Sequence, residues 1–143
     1  MTVLMNDVKV LAIVDENSKY IDKYIEKLSK SFRGTLYLTY VKDIGFYPAE
    51  VLLEFEKSFN KIKRRGLEVL NRIAKRAKEL GFKTEILGVH CGIAIERILR
   101  LEEQLNPDLI LIGYRCGLFR RLLSEDYFDT ILCKAKTPIL VAR

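Results

Sequence analysis

The chain alternates short apolar runs with longer segments in which apolar residues recur at helical spacing. The first run, Val8 to Val14, is continuous and rich in β-branched residues, which is typical of a parallel strand buried on both faces. Polar residues break this run. Ser18 is then a candidate helix cap, and apolar positions repeat every three or four residues up to Phe32. Gly34 is predicted to end this first helix.

The same alternation continues along the rest of the chain. A long helix is predicted from Ala49 to Leu80, with Pro48 suited to its first turn. Gly66 lies on its apolar stripe, which indicates close packing there, and Gly81 fits the position just after the helix. The other predicted elements are strands at Thr35–Val41, Phe82–Val89, Leu109–Ile112 and Pro138–Val141, and helices at Ile93–Leu105 and Leu118–Lys134.

This order of elements predicts a single α/β domain over residues 1–143, with an open five-stranded parallel sheet and helices on both faces. Ligands of such sheets bind beyond the carboxyl ends of the strands, where the strand order reverses. The residues predicted to lie at those ends are Val14-Asp15, Val41, Val89 to Gly92, and Gly113 to Gly117.

The composition indicates in which cellular compartment the chain is expected to function. No apolar run approaches the about 20 residues of a membrane-spanning helix, and the N-terminal residues carry no basic lead of a signal peptide. The three cysteines are an odd number without a CxxC pair, which favours reduced thiols. We therefore expect a cytoplasmic protein with no membrane partner. The net charge of +6 favours anionic partners only weakly.

The strand, glycine turn, helix and strand of residues 109–142 form the most informative stretch. A phosphate needs backbone N–H groups with no side chain in the way, preferably at a helix N-terminus. Gly113 and Gly117 meet this requirement, and Arg115 adds a cation. The turn is therefore a candidate phosphate site.

The layout resembles the universal stress protein family over nearly the whole chain. Val14 and Asp15 match the end of the family's first strand and its adenine-contacting aspartate, and Val41 matches the strand end whose backbone faces the base. Gly92 aligns with the glycine that lets the ribose approach, and Gly113 to Gly117 match the phosphate loop. The resemblance implies an adenine-nucleotide-binding, Rossmann-like fold with strand order 3-2-1-4-5. It also implies a homodimer, often formed through the last strand.

The phosphate loop departs from the pattern of the family's ATP-binding members, which is glycine, two residues, glycine, nine residues, glycine, then Ser or Thr. Cys116 stands at the second glycine, and Glu125-Asp126 stand about where the final Gly-Ser belongs. Carboxylates facing the pocket would repel a polyphosphate, at a cost on the order of 1 kcal/mol or more for each close contact. AMP is therefore penalised less than ATP, and a vestigial pocket stays open as an alternative.

Other candidate chemistry has simpler interpretations. Asp15 at a strand-to-helix junction is also typical of a residue that caps the helix or satisfies loop amides. His90-Cys91 with Cys116 offers neither the paired ligands of a metal site nor a partnered nucleophile. The sequence accordingly predicts no catalytic and no metal-binding residue.

A basic cluster lies opposite the apolar stripe of the long predicted helix. No aromatic residues interleave with it, and acidic residues interrupt it, so a solvated face is favoured over nucleic-acid binding. Its members are Lys61, Lys63, Arg64, Arg65, Arg72, Lys75, Arg76 and Lys78.

The sequence therefore predicts a non-enzymatic, dimeric stress-response module with an altered or vestigial adenine-nucleotide pocket. One alternative is an ATP-binding protein with slow or no ATPase activity. Another is a ligand-free interaction protein that contacts an unknown protein partner through its dimer or its basic helix.

Overall fold

The computed structural model describes residues 5–15, 18–43, 49–113 and 127–142. In these ranges the strands form one parallel sheet in the order β3-β2-β1-β4-β5, which confirms the predicted 3-2-1-4-5 order. The elements are β1 (Met5–Val14), α1 (Ser18–Leu28), β2 (Phe32–Asp43), α2 (Ala49–Glu79), β3 (Lys83–Gly92), α3 (Ala94–Leu105), β4 (Leu109–Gly113), α4 (Tyr127–Lys134) and β5 (Ile139–Ala142).

The central strand, β1, divides the core into two layers. Val10, Ala12 and Val14 pack on one face with residues of α1 and α2. Leu11 and Ile13 pack on the other face with residues of α3 and α4. Successive side chains of a strand point to opposite faces, so the continuous apolar run of β1 supplies both layers. Helices cover both faces of the sheet, as predicted.

The first helix ends earlier than its apolar spacing predicts. It stops at Leu28, and the Ser29 hydroxyl donates a hydrogen bond of 2.6 Å to the Glu26 carbonyl. Phe32, which was predicted to lie in the helix, instead begins β2 opposite Met5 and packs against the core as a strand residue. A partly buried aromatic at this spacing fits either a helix or a strand, and the pairing with β1 decides between them.

Gly34, predicted to end α1, lies inside β2 opposite Val8. The pairing of β1 with β2 shifts register between Met5 and Val8, and Gly34 has a φ of +156°. A Cβ at position 34 would lie 2.0 Å from the Val8 carbonyl oxygen. Glycine is therefore required here because two backbones approach closely.

The third strand runs further than predicted. His90, Cys91 and Gly92 were expected in an exit loop, but they belong to β3 and pair with β2 up to Asp43. A bulge precedes them, since Leu38 pairs with Ile86 and the next residue of β2 pairs with Gly88. Sequence periodicity does not reveal such a bulge, because the extra residue is fixed only by the neighbouring strand.

Two glycines of the long-helix region act as predicted. Gly81 follows α2, and the N–H groups of Gly81 and Phe82 donate to the carbonyls of Lys78 and Ala77, each at 3.0 Å. These two bonds form a Schellman motif. Gly66 is buried, and a Cβ there would lie 2.6 Å from the Val89 Cγ2 atom.

The remaining boundaries lie close to the predictions. α3 begins at Ala94, one residue later than predicted. Of the predicted last helix, residues 118–126 lie outside the described residues. None of the helices, within the described ranges, is long and apolar enough to span a membrane.

We predict that Gly34→Ala destabilises the protein by about 3 kcal/mol or more. The new methyl group would strain the backbone of β2 at position 34 and overlap the backbone of β1 at Val8. Gly88→Ala is the matched control, since Gly88 also has a positive φ, +96°, but nothing lies within 4 Å of its added Cβ. It should lose only about 1–2 kcal/mol. Urea unfolding of the three proteins measures both losses. Equal losses would show that the close approach to Val8 does not matter.

Candidate functional site

The register of the sheet brings four of the predicted site residues to one edge. Val14 pairs with Tyr40, so Val41 lies one residue further along β2. Ile13 pairs with Ile112, which puts Val14 level with Gly113 at the end of β4. Asp15 directly follows β1. Since neighbouring strands lie about 4.8 Å apart, Val41, Asp15 and Gly113 span about 10 Å at the carboxyl edge.

Two of these residues offer the site their backbone rather than their side chains. Val14 is fully buried in the core layer beneath α1 and α2. Val41 is 4% exposed and belongs to the opposite layer, beneath α3. A ligand at the edge would therefore meet their peptide groups, which matches the role that the resemblance implies for Val41.

Asp15 is the carboxylate of this edge. It is only 8% exposed, and it already interacts with other groups of the protein. A carboxylate is costly to bury without hydrogen bonds, so its interactions inside the protein help to hold it there. This burial is compatible both with a ligand contact and with a structural role at the start of α1.

Gly92 ends β3 just before Ile93, the N-cap residue of α3, which makes no side-chain capping bond. A Cβ at position 92 would lie 2.9 Å from the Nε2 atom of His90. The missing side chain therefore makes room for the imidazole of His90. This is a second reason for glycine here, beside the ribose contact that the family resemblance implies.

The pKa values of His90 and Cys91 are shifted in opposite directions, and the shift of the Cys91 thiol disfavours nucleophilic chemistry. Burial lowers the pKa of His90, the positive charges of Arg97 and Arg100 lower it further, and Glu96 opposes them. Burial raises the pKa of the Cys91 thiol, against a smaller effect of Lys42. At neutral pH the imidazole is therefore neutral and the thiol protonated. Among the described residues, no group of three or more His, Cys, Asp or Glu side chains is placed to hold a metal ion.

The effect of Arg97 and Arg100 on the pKa of His90 could not be foreseen from the sequence. The two arginines are three residues apart on α3, so they share one face of the helix. Their spacing is visible in the sequence, but their closeness to His90 depends on how α3 packs against β3.

The other half of the predicted site cannot be compared with the structure. Arg115 and Gly117 lie outside the described residues, and so do Cys116 and the acidic pair Glu125-Asp126.

The basic face of α2 is partly engaged within the protein. Arg72 forms a salt bridge with Asp22 of α1, and Arg76 lies 3.7 Å from Glu26 of the same helix. These pairs join the two helices on one side of the sheet. The cluster members that are exposed and appear in no salt bridge among the described residues are Lys61, Lys63, Arg64, Arg65, Lys75 and Lys78.

Comparison with known proteins gives a family and a fold. The model of the universal stress protein family matches residues 9–143. The chain is similar to the solved structure of the hypothetical protein MJ0577, with a TM-score of 0.73, 22% identity and 94% of each chain covered. No curated protein matches the chain.

Two further similar structures contain a nucleotide. One is a universal stress protein family protein from Arabidopsis thaliana with AMP bound, with a TM-score of 0.61 and 19% identity over 94% of this chain and 90% of that one. The other is a universal stress protein in complex with cAMP, with a TM-score of 0.60 and 16% identity over 94% of this chain and 95% of that one. At these identities the structural likeness shows the shared fold.

We predict that iodoacetamide alkylates Cys91 several-fold more slowly than Cys133 at neutral pH. Cys91 is half-buried with a raised thiol pKa, whereas Cys133 is exposed on α4, and the thiolate is the reacting form. Peptide-resolved mass spectrometry over a time course measures both rates in the same sample. Faster reaction at Cys91 would reveal an activated thiol and contradict the interpretation of His90-Cys91 as inert.

Proposed function

The chain belongs to the universal stress protein family, and from this premise we propose that it is a non-enzymatic module of stress response that binds an adenine nucleotide. The observation that carries the proposal is that the register of the sheet sets Val41, Asp15 and Gly113 side by side near the carboxyl ends of β2, β1 and β4, with Asp15 in the middle and largely buried. This is where ligands of such sheets bind.

We propose AMP, or another adenine ligand with few phosphates, as the preferred nucleotide. The end of the site that would hold the adenine base depends on the peptide groups of Val14 and Val41 and on the carboxylate of Asp15. The sheet fixes the positions of all three residues. The phosphate end depends on a loop in which Glu125 and Asp126 replace the family's Gly-Ser. The nucleotides named for the two similar structures, AMP and cAMP, each carry one phosphate, which supports this preference.

Two alternative functions, each from a different class of protein, remain as proposals. An ATP-binding protein with slow or no hydrolysis needs a loop that tolerates Cys116 and the acidic pair. An interaction protein without a small ligand is supported by the exposed cations of α2 that form no salt bridge within the described residues, such as Arg64 and Arg65. For all three we propose a cytoplasmic location, which rests on the odd number of cysteines without a CxxC pair.

Calorimetric titration with AMP, ADP and ATP, with and without Mg²⁺, tests the ligand. We predict that AMP binds more tightly than ATP and that Asp15→Ala weakens AMP binding about tenfold or more, as expected for loss of a hydrogen bond to a charged group. Glu103→Ala, at an exposed position of α3, is the matched control. Asp15→Asn keeps the size of the side chain, and thermal unfolding of every variant separates loss of binding from loss of fold.

The outcomes of this titration are distinct. AMP binding that is unchanged in a folded Asp15 variant would contradict the site. Tighter binding of ATP would favour the first alternative, and turnover that requires Asp15 and Gly113 would show an enzyme. No measurable binding of any of the three nucleotides would favour the interaction protein.

We also propose a homodimer formed through β5 and α4. β5 is the last strand in the sheet order, so one of its edges pairs with β4 and the other has no partner strand among the described residues. Leu132 on α4 is 51% exposed, the larger exposed fraction of the two large apolar side chains that are exposed among the described residues. An unpaired edge of β5 and an exposed leucine on the helix that precedes it fit a self-complementary interface.

We predict a dimer in sedimentation velocity, weakened about tenfold or more by Leu132→Arg, because a charge would be buried at an apolar contact. Gln104→Arg, at an exposed position of α3, should leave the assembly unchanged. A monomeric protein would refute the dimer, and a Leu132→Arg variant that dimerises like the original chain would place the interface elsewhere.

A further inference from the structure

A cavity opens at the amino edge of the sheet, at the end opposite the proposed nucleotide pocket. Its volume is about 320 Å³. The beginnings of β1, β2 and β3 and the turn after α2 border it. The residues that line it are Asp7, Arg33, Gly34, Thr35, Gly81 and Lys83. Gly34 and Val41 are seven residues apart on β2, so the cavity lies about 23 Å from the carboxyl edge.

The guanidinium group of Arg33 is held in place by the protein. Its Nη1 atom donates a hydrogen bond of 2.6 Å to the Ser29 carbonyl. Its Cζ and Nε atoms each lie 3.4 Å from where a Cβ of Gly81 would be, so the group lies against the turn after α2. Within the described part of the chain, no hydrogen bond uses Nε or Nη2. Arg33 is therefore fixed in position and keeps donors for a ligand.

Asp7 contributes a negative charge to the same cavity. It lies in the stretch where the pairing of β1 with β2 shifts register, and it has a φ of +58°. Aspartate and asparagine adopt this left-handed conformation more readily than most residues do. The backbone at position 7 therefore accepts either side chain, so the charge of Asp7 can be removed without a change of conformation.

The charges that line the cavity do not neutralise each other. Lys83, the first residue of β3, and Asp7 are both exposed. Among the described residues, Asp7 forms no salt bridge with Arg33 or with Lys83. Two cationic groups and one anionic group thus line the cavity as separate groups. A ligand that matches them carries two negative charges and one positive charge.

We propose that this cavity binds an acidic amino acid, whose two carboxylates contact Arg33 and Lys83 and whose ammonium group contacts Asp7. The N–H groups of Nε and Nη2 of Arg33 lie side by side, which matches the two oxygens of a carboxylate. The volume of the cavity is at the lower end of the about 300–1,000 Å³ that ligand sites span, which suits a small ligand. The Thr35 hydroxyl offers a further donor and acceptor.

Titration of the ¹⁵N-labelled protein with L-glutamate, followed through the backbone amide resonances, tests binding and its location together. We expect saturable shifts at Asp7, Gly34 and Gly81 and none at Val41 or Gly113. Glutarate carries both carboxylates but no ammonium group. It should bind about threefold more weakly or worse, because the ion pair with Asp7 is lost.

Matched variants assign the charges. Asp7→Asn should remove the preference for glutamate over glutarate, and its amide spectrum shows whether the fold is kept. Lys83→Gln should weaken the binding of both ligands about threefold or more. Glu103→Gln on α3 and Lys75→Gln on α2 remove the same charges at exposed positions elsewhere, and they should change neither affinity.

Three results would overturn the proposal. They are the absence of saturable shifts at millimolar L-glutamate, equal affinities for glutamate and glutarate, and a preference for glutamate that survives in Asp7→Asn.

The inference goes beyond the proposed nucleotide function and is tested separately from it. Because the two sites lie at opposite edges of the sheet, AMP should not displace L-glutamate, and Asp15→Ala should bind L-glutamate like the original chain. Failure of the nucleotide pocket would therefore leave this site intact, and failure of this site would leave the pocket intact.

Discussion

The structure depends on β1 being paired along both edges and buried on both faces. Val10, Leu11 and Ala12 have no exposed surface, so every backbone group of this stretch must be satisfied by β2 or β4. Parallel pairing points all the strands in one direction, and their carboxyl ends meet at one edge. The helix that follows β1 and the described helix that follows β4 pack on opposite faces of the sheet, and ligands of such sheets bind at the strand ends where the connections diverge in this way. The position of the candidate site is therefore a consequence of the packing of one strand.

The carboxylates of Asp108 and Glu102 fix the register in which β4 and β5 pair with their neighbouring strands. The Asp108 carboxylate accepts a hydrogen bond from the Lys9 N–H, and the Asp108 N–H donates to the Lys9 carbonyl, both at 2.8 Å. This reciprocal pair sets Leu109 opposite Val10, and the register then carries Gly113 level with Val14. Glu102 acts similarly before β5, where its carboxylate accepts the N–H groups of residues 136 and 137. Polar contacts at the amino edge thus set the geometry of the carboxyl edge, where the candidate site lies.

Most of the fold could be predicted from the sequence, because buried parallel strands such as Val8 to Val14 and Leu109 to Ile112 leave a continuous apolar signal. The failures share one cause. Phe32 and Gly34 were assigned by local spacing, but their conformation is decided by the shifted pairing with β1. The extension of β3 to Gly92 follows a bulge that only the partner strand fixes. Of the candidate site, the strand-end residues could be predicted because they follow from topology. The effect of Arg97 on the pKa of His90 could not, because it depends on the packing of a helix against a strand.

The same distinction separates the two ends of the proposed nucleotide pocket. At the base end, Val14 and Val41 contribute peptide groups whose positions are set by the hydrogen bonds of the sheet. Substitution of their side chains would disturb the core long before it altered those peptide groups. At the proposed phosphate end, binding depends on which residues occupy a loop, and Glu125 and Asp126 stand about where the family's Gly-Ser belongs. The proposed base end is therefore tied to the packing of the core, whereas the proposed phosphate end depends on the identity of loop residues.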